Sequence, residues 1–429
     1  MDSTCCADSQ EKLLSHTIRR YHWVAVITPK RWVPLASWIT GWINVSGWIA
    51  LTTSGGLLAS QLISGLIGLY HPDFTLKPWQ VWLIYVAWTL IAFLINAFLN
   101  NLLPYVNRAA FIWSIGGFAI ICITVLACAS PNYASAEFVF TNFINETGWP
   151  DGVAWLLGLL QGGFGITGYD AVAHMIEEIP NASVEGPKIM IYCVCIGTVT
   201  GFIFLVVLLF VSGGNTEAIV SSALGPLLQI LYNATSSRAG AVCLLMFPLV
   251  CMLFAEVAIM TTSSRMTYAF ARDGGLPMSK VFSKVHPRLG QPLNALMLAA
   301  GLTILFGLIL IGSSSAFNAL ISASVVALGV SYAIPIAINV CRGRKMLPPR
   351  AFALPSAVGW AANLLGLSYT IVTTVLFLFP PGLPVSTSSM SMYTDLYPEC
   401  MFADSLRLLR RRFRDHPLYQ HVSMVRRRA

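Results

Sequence analysis

Gln161-Gly-Gly-Phe-Gly-Ile-Thr-Gly-Tyr-Asp170-Ala-Val-Ala-His174-Met-Ile-Glu-Glu178 sets four glycines between positions 162 and 168, with a carboxylate two residues after the last of them. The run Val153-Ala-Trp-Leu-Leu-Gly-Leu-Leu160 precedes it. Together they reach the roughly 20 apolar residues that a helix needs to cross a bilayer. Each glycine weakens a helix by about 1 kcal/mol relative to alanine. Backbone groups released by a break find no water in hydrocarbon. A broken helix at that depth must therefore face protein or a water-filled cavity. The stretch predicts an interrupted helix, near 163–168, inside a bundle of other helices. Close packing through small residues is the alternative. It would favour a four-residue spacing, which Gly163-Phe-Gly-Ile-Thr-Gly168 does not keep.

The rest of the chain agrees with a lipid solvent. Of 429 residues, 56% are hydrophobic and only 10% charged, and the mean hydropathy is +0.70. Soluble domains carry about 25% charged residues. The apolar stretches are continuous and lack the alternation of barrel strands, so the expected class is an all-α integral membrane protein. Nine spans are expected, at 35–66, 80–98, 109–129, 153–176, 189–211, 239–264, 294–311, 316–340 and 358–379. They divide the chain into a cytoplasmic head (1–33), a membrane bundle (34–380) and an Arg-rich tail (381–429). Residues 1–20 lack the apolar core of a secretory signal, so the first span is expected to act as its own insertion signal.

Loop charges orient the bundle, because Lys and Arg accumulate on the cytoplasmic side. With the head inside, that side holds Lys12, Arg19, Arg20, Lys30, Arg31, Arg108 and Lys188. It also holds Arg265, Arg272, Lys280, Lys284, Arg288, Arg342, Arg344, Lys345 and Arg350. The other side, before the tail, holds Lys77 and Arg238. The sequons at Asn145 and Asn233 then lie outside, and the one at Asn181 inside. The tail conflicts with this scheme. Nine spans put it outside, yet it carries Arg407, Arg410, Arg411, Arg412, Arg414, Arg426, Arg427 and Arg428.

Ionisable groups at membrane depth are candidate functional groups. A carboxylate at the centre of a span costs about 2.5–3.5 kcal/mol on insertion scales, so Asp170 calls for a cationic ligand, a proton or a partner. His174 and Glu177 follow at helical spacing on the same face. The alternative for His174, Glu177 and Glu178 is simple solvation at the cytoplasmic interface. Glu256, in Phe254-Ala-Glu-Val-Ala-Ile-Met-Thr-Thr-Ser-Ser-Arg265, is the other intramembrane acid. Asp170, His174 and Glu256 are the coupling candidates. In the first span Thr40, Asn44, Gly47, Leu51 and Ser54 form a small, partly polar stripe that should face another helix. Trp38, Trp42 and Trp48 lie too deep for an interface belt alone. The cysteines, among them Cys122, Cys193 and Cys251, read as small hydrophobes in apolar runs. Neither a metal site nor a cofactor is expected. No nucleophile–base pair suggests an enzyme, and no nucleic-acid partner is expected.

Ser264-Arg-Met-Thr-Tyr-Ala-Phe-Ala-Arg-Asp-Gly-Gly-Leu-Pro277 resembles the cytoplasmic loop signature of the amino acid–polyamine–organocation superfamily. Gly168-Tyr-Asp-Ala-Val-Ala-His-Met-Ile-Glu-Glu-Ile-Pro-Asn-Ala182 resembles that superfamily's sixth helix and its exit. Tyr21-His-Trp-Val-Ala and Trp38-Ile-Thr-Gly-Trp-Ile-Asn-Val-Ser-Gly-Trp48 are similar to its fungal branch for GABA, choline and amino acids. The resemblance spans residues 21–384. It implies a LeuT-like fold of two inverted five-helix repeats, present here in part. The nine spans would match the family's third to eleventh helices, leaving its first two and its twelfth without counterparts.

The resemblance implies secondary transport, coupled to protons, of an amino acid or related small amine at the plasma membrane. The implied substrate site is Gly163, Phe164, Gly165, Ile166, Gly168, Tyr169 and Asp170, with Trp42 and Asn44 as further wall. The family's first helix should face this site, so its missing counterpart implies that the chain alone transports poorly. The competing expectation is a non-transporting membrane fragment or a regulatory partner of other permeases.

Overall fold

A computed structural model describes residues 20–174, 179, 181–214, 216–312, 314–345, 354–377, 379–380 and 382–383. The first 19 residues, Glu177, Glu178 and nearly all of the Arg-rich tail lie outside the described residues. Among those described every regular element is helical. A short α1 (Arg20–Ile27) leads into α2 (Val33–Tyr70), α3 (Pro78–Phe98) and α4 (Leu103–Ala129). Then come α5 (Asp151–Ile166), α6 (Ala182–Val211), α7 (Pro226–Thr235) and α8 (Arg238–Arg272). The chain continues through α9 (Leu293–Gly307), α10 (Ser314–Cys341) and α11 (Ser356–Leu376).

Eight of the helical segments among the described residues are long and apolar enough to cross a membrane. The ninth expected pass, 153–176, is the interrupted one. Its helix α5 has 16 residues, fewer than a span requires. Two elements outrun their expected limits. The head's last residues form α1, which packs on α2 and α10. Ser264–Arg272, expected in a loop, continues α8 toward its end. Met266, Ala269, Phe270 and Ala271 are all buried there, so tertiary packing holds polar, Arg-bearing sequence in helix.

The most extensive packing joins α2 to α8 and α2 to α10. Three glycines of α2 allow the close approach. A Cβ at Gly41 would overlap the Phe270 ring, one at Gly47 the Leu328 side chain, and one at Gly55 the Glu256 carboxyl. Between Gly41 and Gly55 the α2 numbering rises by fourteen residues while the α8 partner falls from 270 to 256. The two helices therefore run antiparallel along about four turns. The expected stripe Thr40, Asn44, Gly47, Leu51 and Ser54 is buried throughout.

With α3 and α9, these two helices form a four-helix core, in which each helix touches the other three. The packing has an internal symmetry: α2 packs on α3 and α10, as α8 packs on α9 and α4. Exchanging α2–α3–α4 with α8–α9–α10 reproduces the pattern, and the exchanged helices run in opposite senses. That is the arrangement of an inverted repeat. The outer helices α4, α6 and α11 expose large apolar side chains such as Ile112, Ile123, Tyr192, Phe202, Leu365 and Ile371. A surface of that composition matches lipid rather than water.

Candidate functional site

The glycine-rich stretch builds its site by ending a helix inside the bundle. The α-helical ladder of α5 stops at Ile166, and Thr167 is extended at φ −69° and ψ 142°. Gly168 then takes φ +97°, a conformation that side chains with a Cβ adopt only under strain. The backbone resumes as a 3₁₀ turn, Tyr169–His174. Local bonds hold the two ends of the break. Thr167 donates its N–H to the Phe164 carbonyl at 3.1 Å and its hydroxyl to the Gly163 carbonyl at 2.7 Å. The Ala171 N–H closes on the Gly168 carbonyl at 3.0 Å.

The break aims Asp170 inward, where it is only 4% exposed. One carboxyl oxygen accepts the hydroxyl of Tyr332 from α10. The other lies 3.1 Å from His174 Nε2, a contact that becomes an ion pair when the imidazole is protonated. The fully buried Trp48 ring stands nearly perpendicular to the His174 ring, with centroids 5.4 Å apart. Tyr169 lies tilted against Tyr332 at 5.6 Å. The partner required by a buried acid is thus a three-residue hydrogen-bonded group, Asp170–His174–Tyr332, sealed by Trp48. It can hold and pass a proton, since each member donates or accepts one.

The remaining expected residues divide. Phe164 and Trp42 pack into the cluster around Val45, Trp48, Phe270 and Leu328. Gly163 is buried because the Tyr369 hydroxyl of α11 sits where its Cβ would be, so close packing explains it. Nothing comes within 4 Å of a Cβ at Gly165, and Ile166 is exposed. Asn44 is 0% exposed and neither its amide oxygen nor its nitrogen has a hydrogen-bond partner. Glu256 lies apart, on the α2, α3 and α9 side of α8. The structure therefore brings Gly168, Tyr169, Asp170 and His174 together. It adds Tyr332 and Trp48, which sequence reasoning did not name for the site. Trp48 stands beside the polar stripe of α2, a signal that could have flagged it. Tyr332 is 162 positions from Asp170 in sequence, and no local pattern connects them. Among the described residues no cluster of His, Cys, Asp and Glu could hold a metal ion.

The amino acid permease family model matches residues 20–401. The chain is 34% identical, over 375 residues, to a protein named as an amino acid/polyamine transporter in Macrophomina phaseolina (strain MS6), with 87% of this chain and 83% of that one covered. It is 31% identical over 397 residues to the choline transporter of Saccharomyces cerevisiae, with 91% and 69% covered. It is also 34% identical over 397 residues to the amino-acid permease BAT1 homolog of Oryza sativa subsp. japonica, with 86% and 74% covered.

Proposed function

The chain belongs to the amino acid permease family, within the amino acid–polyamine–organocation superfamily, and on that premise we propose that it carries an amino acid or a related small amine, such as GABA or choline, across the plasma membrane by proton-driven secondary transport. One observation carries this reading: a membrane helix broken at Thr167–Gly168 beside a buried carboxylate. Broken helices offer free backbone carbonyl and N–H groups at membrane depth, which is how many transporters hold polar solutes. Here the substrate would lie along Gly163–Asp170, with Phe164, Gly165, Ile166, Gly168 and Tyr169 as near wall and Trp42 and Asn44 as far wall. The orphaned amide of Asn44 is a ready donor and acceptor. Asp170 and His174 would carry the coupling proton, because Tyr332 and His174 already occupy both carboxyl oxygens.

The test is uptake. The chain is expressed in permease-deficient yeast, its arrival at the plasma membrane is confirmed, and labelled choline, GABA and α-amino acids are offered across external pH. Saturable uptake of one class, faster at acidic pH and abolished by a protonophore, is expected. Arrival without uptake of any of them would reject the reading. It would favour a chain that does not transport on its own and serves as a partner of other permeases. The same assay decides the expectation of poor transport raised by the sequence.

A further inference from the structure

Besides Asp170, the described residues bury one more carboxyl, Glu256, near the middle of α8. It is 0% exposed, and neither of its oxygens has a hydrogen-bond partner. Its position is built rather than accidental. Gly55 of α2 leaves room for the carboxyl, where any Cβ would overlap it. The next residue, Gly56, leaves room for the ring of Tyr85 from α3. Gly307 of α9 receives the other edge of the same ring, and Tyr85 donates its hydroxyl to the Thr303 carbonyl of α9 at 2.7 Å. Four helices thus converge on one acid and one phenol.

The surroundings offer no counter-charge. Helices α2, α3, α7 and α9 contain no Asp, Glu, Lys, Arg or His; their titratable groups are Tyr70 of α2, Tyr85 of α3 and Tyr232 of α7. The other elements packed on α8 bring Arg108 on α4, Lys280 on the Ser279–Phe282 turn, and Asp170 and His174 on the 3₁₀ turn. On α8 itself the nearest cation in sequence is Arg265, nine residues or about 13 Å along the axis. A bare carboxylate in such a place is strongly disfavoured, and a neutral acid is not. Ser263, two turns along the same face of α8, is also buried without a partner, as is Asn44 on the facing side of α2. The seam between α2 and α8 therefore carries polar groups toward Glu256.

We propose that Glu256 is a second proton-binding site, distinct from the Asp170–His174–Tyr332 group, which holds its proton while α2 and α8 are packed as in this structure. Releasing that proton requires the seam to open and admit water. The linkage runs in one direction. An acid that stays protonated in the folded chain but ionises in the unfolded chain costs stability as pH rises.

The purified full chain in lipid nanodiscs supplies the test. Infrared difference spectra should show a protonated-carboxyl carbonyl band that shifts in D2O, disappears in Glu256→Gln and persists in Asp170→Asn. Thermal unfolding midpoints should fall from acidic to alkaline pH in the parent, and Glu256→Gln should lessen that fall. Absence of the band, its survival in Glu256→Gln, or failure of that variant to give a monodisperse folded protein would overturn the proposal. So would a midpoint raised by sodium chloride over N-methylglucamine chloride in the parent but not in Glu256→Gln, because the occupant would then be a metal cation.

Discussion

Phe270 shows how single residues set the packing. Its ring fills the space that a Cβ would need at both Gly41 and Gly275, so a flat aromatic is clamped between α2 and the turn after α8. Gly41→Ala should destabilise the purified protein by about 1–3 kcal/mol, the usual cost of overpacking a filled core. Its thermal midpoint in detergent should fall accordingly. Gly162→Ala is the control: nothing lies within 4 Å of its Cβ, and alanine favours helix over glycine by about 1 kcal/mol. An equal loss in both variants would show that close approach at Gly41 is not what matters. At the site, Tyr332→Phe removes the hydroxyl that Asp170 accepts. A hydrogen bond to a charged group contributes about 1.5–3 kcal/mol. The variant should shift the pH profile of uptake, and an unchanged profile would remove Tyr332 from the proton group.

At the scale of elements, the interruption after α5 rests on one backbone conformation. Gly168 at φ +97° cannot accept a side chain without strain of about 1–3 kcal/mol. Gly168→Ala should therefore lower both uptake and stability. Gly165→Ala, in open space and inside the helix, should leave stability intact. If Gly168→Ala transports like the parent, the break is not held by that residue. Glycine content announced this break in the sequence. It did not reveal that the chain resumes as a 3₁₀ turn, which packs on α6 and α8. Nor did it show that Gly163 serves α11 through Tyr369. Both depend on neighbours that no local pattern describes.

Across the whole molecule, contacts between loops sort the chain ends into two layers. Trp149 Nε1 donates to the Pro380 carbonyl at 3.1 Å, and Ala134 N–H to the Phe210 carbonyl at 2.8 Å. At the other end Arg342 Nη1 donates to the Ile27 carbonyl at 2.7 Å. Residue 380 and the 145–149 loop therefore share a side, and Ile27 shares the opposite side with Arg342. The Lys and Arg of the loops predict that this second side is the cytoplasmic one. Asn145 and Asn233 should then be the sequons open to glycosylation. Endoglycosidase treatment of the chain from yeast should increase its gel mobility. Replacing Asn145 and Asn233 by Gln should abolish that shift, and Asn181→Gln should leave it. A shift carried by Asn181 would invert the orientation.

The sequence by itself determined the solvent and the class. Long apolar runs admit one solution in lipid, where each backbone group must be satisfied within its own helix. It also located the break, because glycine density is a local property, and it pointed to Asp170 and Glu256, because charge is costly at membrane depth. Only the tertiary structure decided what those acids meet. Asp170 meets His174 and Tyr332, whereas the Glu256 carboxyl lies against α2 at Gly55. In sequence Asp170 already has His174 four residues on, whereas Tyr332 and the helices around Glu256 lie far off along the chain. The two carboxyls differ in fate because packing between distant helices sets which donors can reach a side chain, and one-dimensional spacing carries no record of that.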